Sequence, residues 1–482
     1  MKPLGRRHFI LKTGAGSLAA AFLGLTPPMT RRGFGQEPKV ASQKLGIGAL
    51  ANPHHPPRAK RVIWLHMAGS PSQLDTFQPK AALEKYHGKE CPAEYLEGER
   101  FAFIKGVPKL LAPPHGFKQH GESGHWFTEL LPHTGAIADK LTFVHSMHTT
   151  QFNHAPAQIF LNTGHQIIGR PSMGSWLSWG LGSENQNLPA FVVMTSGQFL
   201  PSGGSSCWSP GFLPSEHQGV RLMNNGDPVL FLSNPKGTDR ARRRRELDAL
   251  KGLNQEQFTE HGNPETEARV QQYELAFRMQ AEVPDLADIS TEPKEVLDLY
   301  GVEPGKPSFA TNCLLARRLS EAGVRFIQLY DWGWDLHGTN TSDDLITQFP
   351  RQCMRTDKAC AALIQDLEQR GLLEDTIVIW GGEFGRTPMN EERNGSKLLG
   401  RDHHPHAFSM WMCGGGFRPG LSYGATDELG YHITENPVSV HDLHATLLHQ
   451  LGIHHEQFTY RSQGRDFRLT DVEGLVVKEL LA

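Results

Sequence analysis

The chain has few cysteines and no CxxC pair. Its six, Cys91, Cys207, Cys313, Cys353, Cys360 and Cys413, are scattered through 482 residues. That spacing excludes a zinc knuckle and a dense disulfide scaffold, while the even count leaves room for one or two disulfides. Cys353 and Cys360 fall on one face of an expected helix. They lie two turns apart, about 10 Å along the axis, which is too far to bridge. Net charge is nearly absent as well, since 48 basic against 51 acidic residues give a formal −3. Such a balance offers no field for a nucleic acid or a lipid surface. The basic run Arg240–Arg245 is broken only by Ala241, but no aromatic platform for bases accompanies it, so no nucleic-acid partner is expected. There is no HExxH helix, which removes that zinc-protease signature. After the first 25 residues no apolar run reaches the length that a membrane span needs, about 20 residues. Internal repeats and low-complexity tracts are missing too.

What is present begins with a leader. Gly5-Arg6-Arg7-His8-Phe9-Ile10-Leu11-Lys12 sets two adjacent arginines before an uncharged stretch from Thr13 to Leu25 that is rich in Ala, Gly and Leu. A charged start, a short apolar middle and a Pro-containing exit make a targeting segment, and the paired arginines assign it to the twin-arginine route. We expect residues 1–36 to be this signal segment, read by the twin-arginine export machinery, and residues 37–58 to be a linker. The expected destination is the periplasm or the extracellular space. No clean small-x-small cleavage signal follows the apolar run, so a retained leader could serve as an anchor.

From residue 59 to residue 482 short apolar runs alternate with helical patterns. Val62–Met67, Leu141–Ser146, Ala190–Met194, Val324–Tyr330, Thr376–Trp380 and Phe408–Cys413 read as strands. Ala155–Asn162, Ala316–Ala322, Arg351–Arg370 and Val440–Leu451 read as helices. The alternation predicts an α/β domain with a mainly parallel sheet and helices on both faces. A stretch at about 234–292, rich in Glu, Gln, Asn and Lys, reads as a polar helical excursion from that domain.

In an open parallel sheet, sites gather beyond the carboxyl ends of the strands. Here those positions carry Asp75, then Asn153 and His154, then Asp335 and His337, then Glu383 and Arg386; Asp402, His403 and His404 precede the next strand. Each residue alone has an ordinary explanation, such as a helix cap for an Asp or an ion pair between Glu383 and Arg386. Together, in a chain with 25 histidines, they predict a polar site able to hold metal. Mixed imidazole and carboxylate ligands suit Zn, Mn or Fe, and several together can hold two ions.

The stretches GSPSQLDTFQPK from Gly69, FNHAPAQIFLNTG from Phe152, RPSMGSWLSWGLGSENQNLPAFVV from Arg170, GGEFGRTP from Gly381, GRDHHPHAFSMWMCGGG from Gly400 and VHDLHATLLHQLGI from Val440 resemble one family. It is the domain-of-unknown-function 1501 family, whose members resemble the alkaline phosphatase and sulfatase superfamily. The resemblance implies an alkaline-phosphatase-like fold. It also exposes departures. Counting back from Thr163-Gly164, His154 takes the superfamily's nucleophile position, Pro156 is kept and Gln158 replaces an Arg. A second landmark, Ser-Asp-His/Asn-Gly after a strand, becomes Gly382-Glu383-Phe384-Gly385, in which Phe384 cannot ligate. The first strand lacks the superfamily's terminal acid. These changes exclude a formylglycine sulfatase.

The expected function is that of an exported metal-dependent hydrolase of phosphate or sulfate esters, with a small molecule or a polysaccharide ester as substrate. The resemblance implies a metal shell of Asp75, Asp335, His337, Glu383, Asp402, His403 and His404, holding a divalent Zn, Mn, Fe or Ca ion. His154 and Asn153 would face the substrate, and Arg386 would grip its anionic group. The alternative is a non-catalytic member that binds a metal or an anionic polymer.

Overall fold

The apolar run after Arg61 does become a strand, and its burial shows why the run is continuous. In the computed structural model, Val62, Ile63, Trp64, Leu65 and Met67 are at most 1% exposed. Successive side chains point to opposite faces of a sheet. Ile63, Leu65 and Met67 join one hydrophobic core and Val62 and Trp64 the other. A strand covered on both faces needs apolar residues at every position. The structure describes residues 48–196, 199–224, 228–229 and 232–482, so the expected signal segment and residues 37–47 of the linker lie outside the described residues.

Nine strands form the central sheet. In chain order they are β1 (Arg61–Ala68), β2 (Thr142–His148), β3 (Phe191–Ser196), β4 (Val220–Arg221), β5 (Phe326–Trp332), β6 (Thr376–Gly381), β7 (Phe408–Cys413), β8 (Ser422–Tyr423) and β9 (Val438–Ser439). Across the sheet they run β8-β2-β7-β6-β1-β5-β3-β4, with β9 also paired to β2. All pairings are parallel except those of β7, which runs antiparallel to both β2 and β6. The fold is therefore α/β with a mainly parallel sheet.

Helices cover both faces. The helices α1 (His154–Thr163), α2 (Met173–Leu181) and α7 (Val440–Gln450) put Ile159, Leu161, Trp176, Leu177, Leu443 and Leu447 into the core that holds Trp64. On the opposite face, α5 (Phe309–Glu321) and α6 (Gln348–Gln369) supply Leu314, Leu315, Leu363, Ile364 and Leu367. The sequence pattern placed the start of α5 two turns late. Its true start is set by Ser308, whose hydroxyl accepts from Thr311 N at 3.0 Å as an N-cap.

Residues 240–287 form two long helices, α3 (Arg240–His261) and α4 (Pro264–Ala287). They explain the arginine run. Arg244 holds Glu274 with two bonds of 2.8 Å, and Arg240 and Arg244 both lie over the Phe277 ring. Arg242 and Arg243 pair with Glu246. Much of the basic charge is thus matched within the helix pair. Among the described residues, no helix is long and apolar enough to cross a membrane.

The cysteines correct one expectation. All six are buried and free, packed as small apolar side chains in the core instead of paired. Burial pushes the Cys91 thiol up to about 11 and the Cys207 and Cys413 thiols up to about 12. Native protein should show no prompt reaction with Ellman's reagent, and all six thiols should react in guanidinium chloride. A smaller count in denaturant would contradict the free-thiol assignment.

Candidate metal centre

The strand ends β1, β5 and β6 are adjacent, so the loops that follow them meet on one edge. Their meeting point is the Asp335 carboxylate. Asp335 Oδ1 lies 2.8 Å from His337 Nε2, 3.1 Å from His154 Nε2 and 3.3 Å from His403 Nε2. One ligand atom from each of these four residues lies within 4.8 Å of every other. Phe384 is buried against both the His154 and His403 rings, with centroids 4.9 and 4.6 Å away.

The far side of each imidazole is fixed by an acceptor. His154 Nδ1 donates to Glu383 Oε1 at 2.6 Å, His403 Nδ1 donates to the Phe152 carbonyl at 2.7 Å, and His337 Nδ1 donates to Glu391 Oε2. Carboxylates and carbonyls only accept, so an Nδ1 that bonds to one carries a proton. Three Nε2 atoms face one carboxylate oxygen. The His154 Nε2 atom is buried and has no hydrogen-bond partner, despite its 3.1 Å approach to Asp335. Such a cluster is short of positive charge. Burial works against charging His154, but the Asp335 and Glu383 carboxylates on its two sides outweigh burial and raise it to about 9. Burial and the nearby Arg386 guanidinium push His403 down to about 3. Burial opposes ionisation of Asp335 too, yet Arg386 and the three imidazoles hold it well below the usual carboxylate range.

Glu383 is fully buried and accepts four bonds. Oε1 takes His154 Nδ1, Gln158 Nε2 at 2.8 Å and Gly69 N at 3.1 Å, and Oε2 takes His66 Nε2 at 3.1 Å. Burial raises its pKa, but the His154 and His66 bonds hold it below its usual range. Glu383 thus orients His154 from behind. Gly69 is needed here: its φ is 101°, and a Cβ would stand 2.6 Å from Asp335 N. Only glycine tolerates both the backbone and the approach.

Of the residues expected in the metal shell, Asp75, Glu383, Asp402 and His404 lie outside the four-residue cluster, and Arg386 also acts differently from the expectation. Asp75 is buried against Arg401, which donates to it from Nε at 2.6 Å and Nη2 at 3.1 Å, so it does not reach the cluster. His404 follows His403 on a two-residue strand that pairs with Gly385–Arg386. Alternation along that strand turns His404 away. Its Nε2 donates to the Tyr431 carbonyl at 2.7 Å, and burial pushes it down to about 3. Arg386 is 1% exposed and its donors are committed. Nε donates to Ser70 O and Nη1 to Arg401 O, both at 3.1 Å. Nη2 donates to Gly69 O and, at 2.6 Å, to Asp335 Oδ1. Arg386 fixes Asp335 and is not free to grip a ligand.

Asn153 is exposed at the N-cap position of α1, with no side-chain capping bond. Asp402 accepts Phe103 N at 2.7 Å, Ile104 N at 2.9 Å and His403 N at 2.7 Å, and lies beside His337 and Glu391. His66, Glu391 and Phe103 were not singled out from sequence. His66 sits inside an apolar strand and Glu391 in a polar loop, and neither carries a local signal.

The Asp75–Arg401 pair is structural. Asp75→Ala leaves a buried guanidinium uncompensated, so unfolding free energy should fall by about 3–5 kcal/mol while metal content per folded chain stays at the wild-type value. Loss of metal from folded Asp75→Ala protein would return Asp75 to the ligand set.

Similar solved structures include the PsFucS1 sulfatase from Pseudoalteromonas sp., at 12% identity over 88% of this chain and 72% of that one, with a TM-score of 0.39. A magnesium-bound mutant of TAB5 alkaline phosphatase matches at 12% identity over 82% of this chain and 98% of that one, with a TM-score of 0.32. The zinc complex of the C-terminal periplasmic domain of EcEptC from Escherichia coli matches at 10% identity over 84% and 88%, with a TM-score of 0.35. No curated protein matches the sequence. A model of a protein family of unknown function, DUF1501, matches residues 59–481. The chain belongs to the DUF1501 family.

Proposed function

We propose that this protein is an exported, metal-dependent hydrolase of phosphate or sulfate esters. The observation that carries the reading is the set of three Nε2 atoms aimed at Asp335, each ring held at Nδ1 by an acceptor. Imidazole backed by a carboxylate or a carbonyl is the arrangement that tunes and orients metal-bound histidine. The buried Nε2 of His154, without a hydrogen bond and 3.1 Å from Asp335, fits it too, since a cation there would take the place of a proton. His154, Asp335, His337 and His403 would hold the ion, and three imidazoles with one carboxylate suit Zn, Mn or Fe.

A bound divalent ion would supply Lewis acidity and lower the pKa of water at the site. The protein's own residues do the rest. Glu383 and Arg386 fix His154 and Asp335, and Asn153 stands exposed at the cap of α1 to meet a substrate. Phe384 and Phe103 pack against the imidazoles. With both ring nitrogens of His154 directed at Glu383 and Asp335, its part is that of a ligand, not of a nucleophile or base. That feature equally favours a second reading, a non-catalytic member that binds a metal or an anionic polymer.

Metal analysis of the purified protein should find a bound divalent ion. Asp335→Ala and His403→Ala should lose it, and Glu383→Gln should weaken retention about 10–100-fold. Unchanged metal content in folded variants would reject the ligand set. Turnover of p-nitrophenyl phosphate or p-nitrophenyl sulfate by the loaded protein supports the hydrolase; bound metal without turnover of either supports the binding reading.

We further propose export by the twin-arginine route, supported by the Arg6-Arg7 leader. Replacing both arginines with lysine should strand folded protein in the cytoplasm, and undiminished export of that double variant would reject the route.

A further inference from the structure

Beside the four-residue cluster lies a second place that a cation could occupy. His337, Glu391 and Asp402 bring ligand atoms within 4.8 Å of one another, and all three are buried. His337 belongs to both groups, with Nε2 toward Asp335 and Nδ1 toward Glu391. A reading from donor types alone would put two ions here, bridged by an imidazole.

The second place is already filled. Arg393 Nε donates to Glu391 Oε1, and Arg393 Nη2 lies 3.2 Å from His337 Nδ1. The guanidinium stacks on the Phe103 ring, with its carbon 3.4 Å from the centroid. That ring in turn stands edge-on to His337 and His403, 5.0 and 5.5 Å away. Both neighbours of Arg393 take left-handed backbone, Glu392 at φ 49° and Asn394 at φ 56°. The resulting turn brings the guanidinium back onto Glu391. Asp402, the remaining donor, has its oxygens engaged by the N–H groups of Phe103, Ile104 and His403. Glu391 already has a full positive charge against it, and Asp402 has three donors. An ion entering there would meet a like charge and lose those bonds.

We propose that the Arg393 guanidinium takes the place of a second cation, so that the centre holds one metal ion and not two. This rests on the metal-site reading above. The positive charge is built into the chain and does not depend on metal supply.

The test is zinc stoichiometry of the full chain, by elemental analysis after equilibration with excess zinc and removal of free ion. Wild type should hold one zinc per chain. Arg393→Ala should admit a second, and Arg393→Lys, which keeps the charge, should stay at one. Two zincs in wild type overturn the inference and leave the metal-site reading standing. One zinc in an Arg393→Ala protein with a wild-type circular dichroism spectrum and melting curve overturns it as well. Should Arg393→Ala fail to fold, the wild-type and Arg393→Lys counts decide. No zinc in wild type removes the metal-site reading and this inference with it.

Discussion

One carboxylate oxygen organises the carboxyl-end face of this sheet. Asp335 Oδ1 gathers three imidazole nitrogens and one guanidinium, which come from separate loops. None of these contacts is explained by packing alone, since buried polar groups are costly unless satisfied. The arrangement satisfies its outer edge and crowds three Nε2 atoms against one carboxylate oxygen on the inner edge. That imbalance is what supports the proposed cation site.

The surrounding structure exists to hold that imbalance steady. Gly69 is the tightest point. Its N–H donates to Glu383, its carbonyl accepts from Arg386, and a Cβ on it would crowd Asp335 N. One residue just after β1 therefore connects the acid behind His154, the ion pair of Asp335 and Arg386, and the loop after β5. The neighbouring Ser70 takes left-handed backbone at φ 63° and its hydroxyl accepts from Glu383 N and Phe384 N, both at 3.1 Å. Strained backbone of this kind persists where the surroundings over-determine it. Arg393 completes the balance on the outer side, since Glu391 and Asp402 would otherwise stand as two acids around one imidazole.

Much of this was legible in the chain. The apolar runs of β1, β6 and β7 gave their strands almost to the residue because each is buried on both faces. Strand ends then pointed to Asp335, His337, Glu383 and His403, which do converge. What failed was information that depends on partners far away in sequence. Asp75 looked like a ligand because its guanidinium partner lies 326 residues on. His404 looked equal to His403 because only the register of a short ribbon decides which of two adjacent side chains faces inward. Arg386 was placed correctly, but its donors answer to the carbonyls of Gly69, Ser70 and Arg401, which no side-chain pattern reveals. Glu391 and Arg393 carry no motif, and they matter only through the turn between them.

The central claim is the donor set. X-ray absorption spectroscopy at the zinc edge of the loaded protein addresses it directly. The account predicts a first shell of three imidazole nitrogens with carboxylate or water oxygen, at about 2.0–2.2 Å. A shell containing thiolate sulfur, or one with fewer than two imidazoles, would contradict it.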